Sequence, residues 1–233
     1  MRFTRLLFGS RGSSGDAGKL KIFYVSLQRC GTKSFGQFFR RNGFRVASWG
    51  QTKNHSWNEI ALAQGKLQQL VESGPFNAFS VFEDGPWFEI SVIKFLYWAL
   101  PNSRFIYFHR PVQDWFKSML SLNQGLIIGD PKRHCLTYER LGEYYEALAA
   151  GRSPSELRMD DHFEHYKVQF ENHALRIKAF FEDKPSNRFF IGDLYDTDKW
   201  LKLNEQLGLN LKDLSDVHIH KSPKQRPLRK AGR

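Results

Sequence analysis

The feature that most constrains this chain is a recurring unit. A short apolar, β-rich run is followed by a turn holding Gly or Pro, and then by a helical pattern. Ile22 to Val25 is the first such run. After the polar turn Leu27 to Thr32, Phe35, Phe38 and Phe39 fall on one helical face and Gln37, Arg40 and Arg41 on the other, until Asn42-Gly43 stops the helix. Ala78 to Phe82 reads as a second strand, closed by Glu83-Asp84-Gly85-Pro86, with a helix over Trp87 to Leu100 ended by Pro101-Asn102. Arg104 to His109 is a third strand. Arg110-Pro111 then opens a helix through Met119, with Pro at the favoured first position. Residues 136 to 150 and 160 to 183 read as helices, Arg188 to Ile191 as a fourth strand, and Asp198 to Leu207 as a helix stopped at Gly208. Strands alternating with helices predict an α/β fold in three layers, a mostly parallel sheet covered by helices on both faces.

Two flanking segments differ in composition. Residues 1 to 18 include the Gly- and Ser-rich stretch Ser10 to Gly18, which reads as a flexible segment. Residues 221 to 233 carry Lys221, Lys224, Arg226, Arg229, Lys230 and Arg233 with no acid, and read as a solvated basic tail. One domain is expected between them, over residues 19 to 220. The formal net charge is +11, which implies an anionic partner. Aromatic residues make up 15% of the chain, enough to fill a large core, so wholesale disorder is excluded. The longest apolar run is Phe95 to Leu100, far short of the ~20 residues of a membrane span. With Cys30 and Cys135 alone, a disulfide scaffold is excluded, and a reducing, cytoplasmic setting is expected.

In an α/β sheet, ligands bind at the carboxyl ends of strands. Three such ends are polar here: Gln28 to Ser34, Glu83 to Pro86, and His109 to Ser118. The first has the character of an anion-binding loop, in which main-chain N–H groups and a helix N-terminus face a phosphate. It departs from the ATP-binding pattern G-x-x-x-x-G-K-[ST]. Aligned on Gly31, Ser26 stands at the first Gly, Thr32 at the Lys, and Lys33 at the magnesium-binding hydroxyl, while Arg29 brings a cation inside the loop. In the third segment Arg110 and Ser118 are eight residues apart, so the Ser lies about two helical turns on. A guanidinium and a hydroxyl so placed can hold one phosphate together.

In order and spacing these segments resemble the sulfotransferase family that uses 3′-phosphoadenosine-5′-phosphosulfate (PAPS). Val25 to Phe35 is similar to that family's loop for the 5′-phosphosulfate, and Pro101 to Ser118 to its 3′-phosphate segment, including Asp114-Trp115 before the Ser. Arg188 to Tyr195 and Leu207 to Leu209 resemble its later strand and helix end. The resemblance implies a P-loop-like fold with Arg29, Cys30, Gly31, Thr32, Lys33, Ser34, Arg110 and Ser118 on the nucleotide, and no metal. It implies sulfuryl transfer to a hydroxyl or amine of a carbohydrate or small hydroxylated molecule, leaving PAP.

Many members carry a catalytic His two residues before a Pro; Asp84 holds that place before Pro86, and Phe82 stands where a catalytic Lys is frequent. The Gly-rich C-terminal nucleotide segment is not recognisable, with Lys221 or Lys224 as substitutes. Sulfuryl transfer needs charge stabilisation, here from Arg29 and Lys33, and a base for the acceptor proton. Asp84 is the first candidate, Glu83 the second and His109 a third. Adjacent strand residues face opposite ways, so one of Glu83 and Asp84 is expected to reach the cleft. His162, His165 and His173 lack a third ligand at metal-binding spacing. The competing readings are a divergent P-loop kinase or NTPase, which Lys33 opposes, and a basic polyanion binder. No specific nucleic-acid motif is present. Segments 44 to 76 and 123 to 160 are expected to wall the acceptor, with Trp49, Trp57 and Trp87 as candidate stacking residues.

Overall fold

The computed structural model describes residues 19–63 and 65–217. The expectations for the N-terminal segment, for His218 and His220, and for the basic tail lie outside the described residues. Five strands, β1 (Lys21–Tyr24), β2 (Val46–Ala47), β3 (Val81–Phe82), β4 (Ser103–His109) and β5 (Phe189–Asp193), form one sheet in the order β2-β3-β1-β4-β5. Every pairing is parallel, with Phe23 beside Phe82 on one side and Phe105 on the other.

Strand alternation divides the core in two. Phe23, Phe82, Phe105 and Tyr107 face a layer built from α3 (Trp57–Leu62), α4 (Leu67–Glu72), α5 (Gly74–Asn77), α6 (Ile90–Ala99) and the long α10 (Phe163–Phe181). Ile22, Tyr24, Val81, Ile106 and Phe108 face α1 (Thr32–Arg41) and α11 (Lys199–Leu207). There Phe38 stacks on Trp200 with centroids 3.8 Å apart. The α1 face reads as the sequence predicts, with Phe35, Phe38 and Phe39 all buried. A third apolar cluster joins Leu27 and Cys30 to α7 (Val112–Leu122), α8 (Pro131–Thr137) and α10.

Several expectations need correction. The strand expected over Ala78 to Phe82 pairs only through Val81–Phe82, and β2 was not expected. The helix expected from Trp87 begins at Ile90, because Trp87 and Phe88 are spent in the turn that follows β3, buried in two separate clusters. Pro111 occupies the N-cap of α7, not its first turn. The helix expected over 136 to 150 is two helices, α8 and α9 (Leu141–Ala149). The break falls at Tyr138 to Arg140, where the Arg140 guanidinium turns inward to the Tyr166 hydroxyl at 2.7 Å and to Glu143. The segment 44 to 76 is not loop but β2, four short helices including α2 (Trp49–Asn54), and their turns.

Candidate active site

A cavity of about 780 Å³ opens along the carboxyl edge of the sheet. Residues just beyond all five strands reach it: Gln28 and Arg29 after β1, Trp49 after β2, Asp84 and Gly85 after β3, Arg110 after β4, and Leu194 and Tyr195 after β5. The chain runs from β1 to β3 on one side and crosses to β4 on the other, so the cavity lies where the winding reverses, as expected for an open α/β sheet.

The loop after β1 is built by tight local bonding. Cys30 N–H donates to Leu27 O, the Tyr24 hydroxyl to the Cys30 carbonyl, and Trp115 Nε1 to Gln28 O at 3.0 Å. Gly31 sits at φ 91°, and a Cβ there would lie 2.5 Å from Leu194 Cδ1. Only Gly meets both demands without strain. Beyond it α1 starts with no acidic residue in its first turn, so its positive end stays available to an anion. Gly31, Thr32, Lys33 and Ser34 line the cavity.

Arg29 takes φ 68°, an unusual conformation for a long side chain. Its Nε donates to Ser118 Oγ at 3.0 Å, and Arg110 Nη1 donates to its carbonyl oxygen at 2.5 Å. Arg110 Nε also donates to the Tyr195 hydroxyl at 3.2 Å, which donates in turn to Asp114 at 3.2 Å. Two cations and the buried Ser118 hydroxyl therefore share one wall. Among the described residues neither guanidinium is in an ion pair. Burial, and then the charge of Arg110, make the Arg29 guanidinium easier to deprotonate than an ordinary Arg.

Asp84 is the second unusual backbone in the cavity, also at φ 68°; its carboxylate accepts the Gly85 N–H at 2.9 Å. Burial raises its carboxyl above the usual Asp range, opposed by that N–H, by Arg133 and by Lys33. A raised carboxyl in a cleft, held in a sparsely populated backbone region, has the properties of a general base.

Glu83 and Cys30 do not line the cavity. Strand alternation sends the Glu83 carboxyl to the opposite face, against Gly36 of α1, where Arg40 Nη2 pairs with it at 3.1 Å. The Cys30 thiol is buried in the third apolar cluster and pushed up to about 12 by desolvation, and its N–H is spent in the turn. His109 is exposed and does not line the cavity. His165 and His173 bond the main-chain carbonyls of Tyr138 and Phe88, and burial pushes His173 down to about 4. Trp57 and Trp87 belong to the core at 1% and 0% exposure, whereas Trp49, 39% exposed, lines the cavity.

Arg133, Tyr195, Asp114 and Lys199 also line the cavity, beyond the site residues expected from the sequence, Asp114 being one that carries the family resemblance. Tyr195 lies within a segment carrying the family resemblance; for Arg133 no local signal exists.

No helix among the described residues is long and apolar enough to cross a membrane. A family model described as a sulfotransferase domain matches residues 21–215. No curated protein gives a match.

Proposed function

We propose that this chain, which belongs to the sulfotransferase family and is a transferase of sulfuryl groups, takes that group from PAPS and passes it to an acceptor hydroxyl or amine. The observation that carries the reading is the Arg29–Arg110 pair. Two guanidiniums meet at one wall, and among the described residues their hydrogen-bond partners are neutral, a hydroxyl on one and a carbonyl and a phenol on the other. Such a wall is completed by a ligand with anionic groups.

The donor fits these residues by its chemistry. Arg29, Lys33 and the start of α1 face the 5′-phosphosulfate, and Arg110 with Ser118 face the 3′-phosphate. PAPS supplies an activated sulfuryl group. Arg29 and Lys33 neutralise the charge that grows on the leaving phosphate oxygen as its bond to sulfur breaks. Asp84 accepts the proton of the attacking hydroxyl as the new sulfur–oxygen bond forms. No metal has a role in this scheme. The acceptor occupies the part of the cavity lined by Trp49 and Phe88.

The test is transfer of label from PAPS to a panel of carbohydrates and small hydroxylated molecules, with the parent and Asp84→Asn. Labelled product from the parent, and a loss of turnover on the order of a hundredfold or more in the variant, are expected. Parental turnover in Asp84→Asn contradicts the assignment of the base. No labelled product with any acceptor, together with no PAP binding, contradicts the donor.

A further inference from the structure

Arg133 stands in the first turn of α8, where Asp130 caps the helix by accepting the Arg133 N–H at 2.8 Å. Its side chain reaches back over the turn that carries Asp84. Gly85 permits the approach: a Cβ there would lie 2.3 Å from Arg133 Nη2 and 2.9 Å from Cζ. The guanidinium thus lies against the main chain one residue beyond Asp84. Phe88 backs it, with Cζ 5.4 Å from the ring centroid. Both terminal nitrogens are buried and have no hydrogen-bond partner among the described residues.

The charges around this group explain why it stays there. Asp84 and Glu89 beyond β3, Glu59 on α3 and Asp130 at the head of α8 all act on Arg133. Asp84 itself is faced by Arg133 from α8 and Lys33 from α1, and it adjoins Glu83. Arg133 is thus a buried cation beside several carboxylates, and it forms no direct ion pair with them. The field of these carboxylates is what keeps the charge on Arg133 against its burial, and the same attraction acts in return on Asp84: a base must be ionised before it can accept a proton, burial alone opposes that, and Arg133 favours it.

Resting on the reading of Asp84 as the base, we propose that Arg133 is a positioning residue for the transfer reaction, holding Asp84 as a carboxylate at the cavity wall from across the Gly85 turn. It touches neither donor nor acceptor in this role, and acts through Asp84.

The experiment uses the full chain with ¹³C-labelled aspartate carboxyls, the Asp84 resonance being identified by its absence in Asp84→Asn. The carboxyl is titrated in the parent, Arg133→Gln and Arg133→Lys. The expected result is a higher midpoint in Arg133→Gln, so that the ionised fraction at a pH below the midpoint falls on the order of tenfold, with most of it restored in Arg133→Lys. The acid limb of the kcat profile moves up in step, while PAP affinity holds. An unchanged Asp84 midpoint in Arg133→Gln overturns the proposal. Should that variant fail to fold, Gly85→Ala displaces the guanidinium instead; the midpoint must again rise, and an unmoved one overturns the proposal. Parental turnover in Asp84→Asn removes Asp84 as the base, whereas the carboxyl titration reads the action of Arg133 on Asp84 independently of turnover.

Discussion

Replacing Arg29 with Gly separates a residue kept for binding from one kept for folding. Three contributions to stability follow from its geometry. Relief of the φ 68° conformation gains about 1–2 kcal/mol. Loss of the 3.0 Å bond to Ser118 costs about 0.5–1.5 kcal/mol. The extra freedom of Gly in the unfolded chain costs about 0.4–1 kcal/mol. These offset one another to within about 1.5 kcal/mol, a change in Tm of no more than about 6 °C for a chain of this size. The carbonyl that holds Arg110 survives, so the second cation stays in place. PAP affinity, in contrast, should fall by about 2–4 kcal/mol, roughly 30- to 900-fold, through loss of a charge-assisted contact in a half-buried site. Titration calorimetry with PAP and a thermal melt of the same preparation give both numbers. Unchanged PAP affinity refutes the assignment of Arg29. A Tm drop of more than about 6 °C accompanying the affinity loss refutes the separation, since Arg29 would then be holding the fold.

Two further outcomes are expected. Asp84 titrates above its unfolded range, so this group stabilises the fold fully below the unfolded value of about 3.9 and loses that contribution as pH rises through the raised folded value. Asp84→Asn, which keeps an acceptor for the Gly85 N–H and suits a positive φ, should therefore melt higher than the parent at pH 7 and equal to it below pH ~3.5; calorimetric melts across pH check this, and a lower Tm at pH 7 speaks against it. Trp49→Ala, at an exposed position on the wall, should raise KM for the acceptor several-fold while leaving PAP affinity and Tm alone; a fall in PAP affinity would place Trp49 on the donor side.

What the sequence made legible follows from the range of the interactions involved. The β1 loop and α1 are set by local signals: an apolar run, Gly31, and Phe residues at helical spacing. The spacing of Arg110 and Ser118 is local too: the end of β4 brings the first to the wall and α7 the second. The strands β2 and β3 are two residues each, too short to show alternation, and they exist because Val46 and Val81 pair at a distance of 35 positions. The division of α8 from α9 depends on Arg140 finding Tyr166 on α10. Arg133 meets Gly85 across 48 positions, and nothing near either residue announces the contact. The choice between Glu83 and Asp84 was posed by strand alternation, and the register of β3 beside α1 decides which one lines the cavity.

The most direct measurement of the central claim is a thermal melt of the full chain with PAP and EDTA beside one with ATP and magnesium at equal concentration. At ~100 times its dissociation constant a ligand adds about 2.7 kcal/mol of stability, roughly 5–10 °C here. Arg29, Lys33 and Arg110 supply the positive charge themselves, and Lys33 stands where an ATP-binding loop places its magnesium-binding hydroxyl. PAP should therefore raise Tm without metal, and magnesium-ATP should raise it little. A larger rise with magnesium-ATP than with PAP, or no rise with either, contradicts the account.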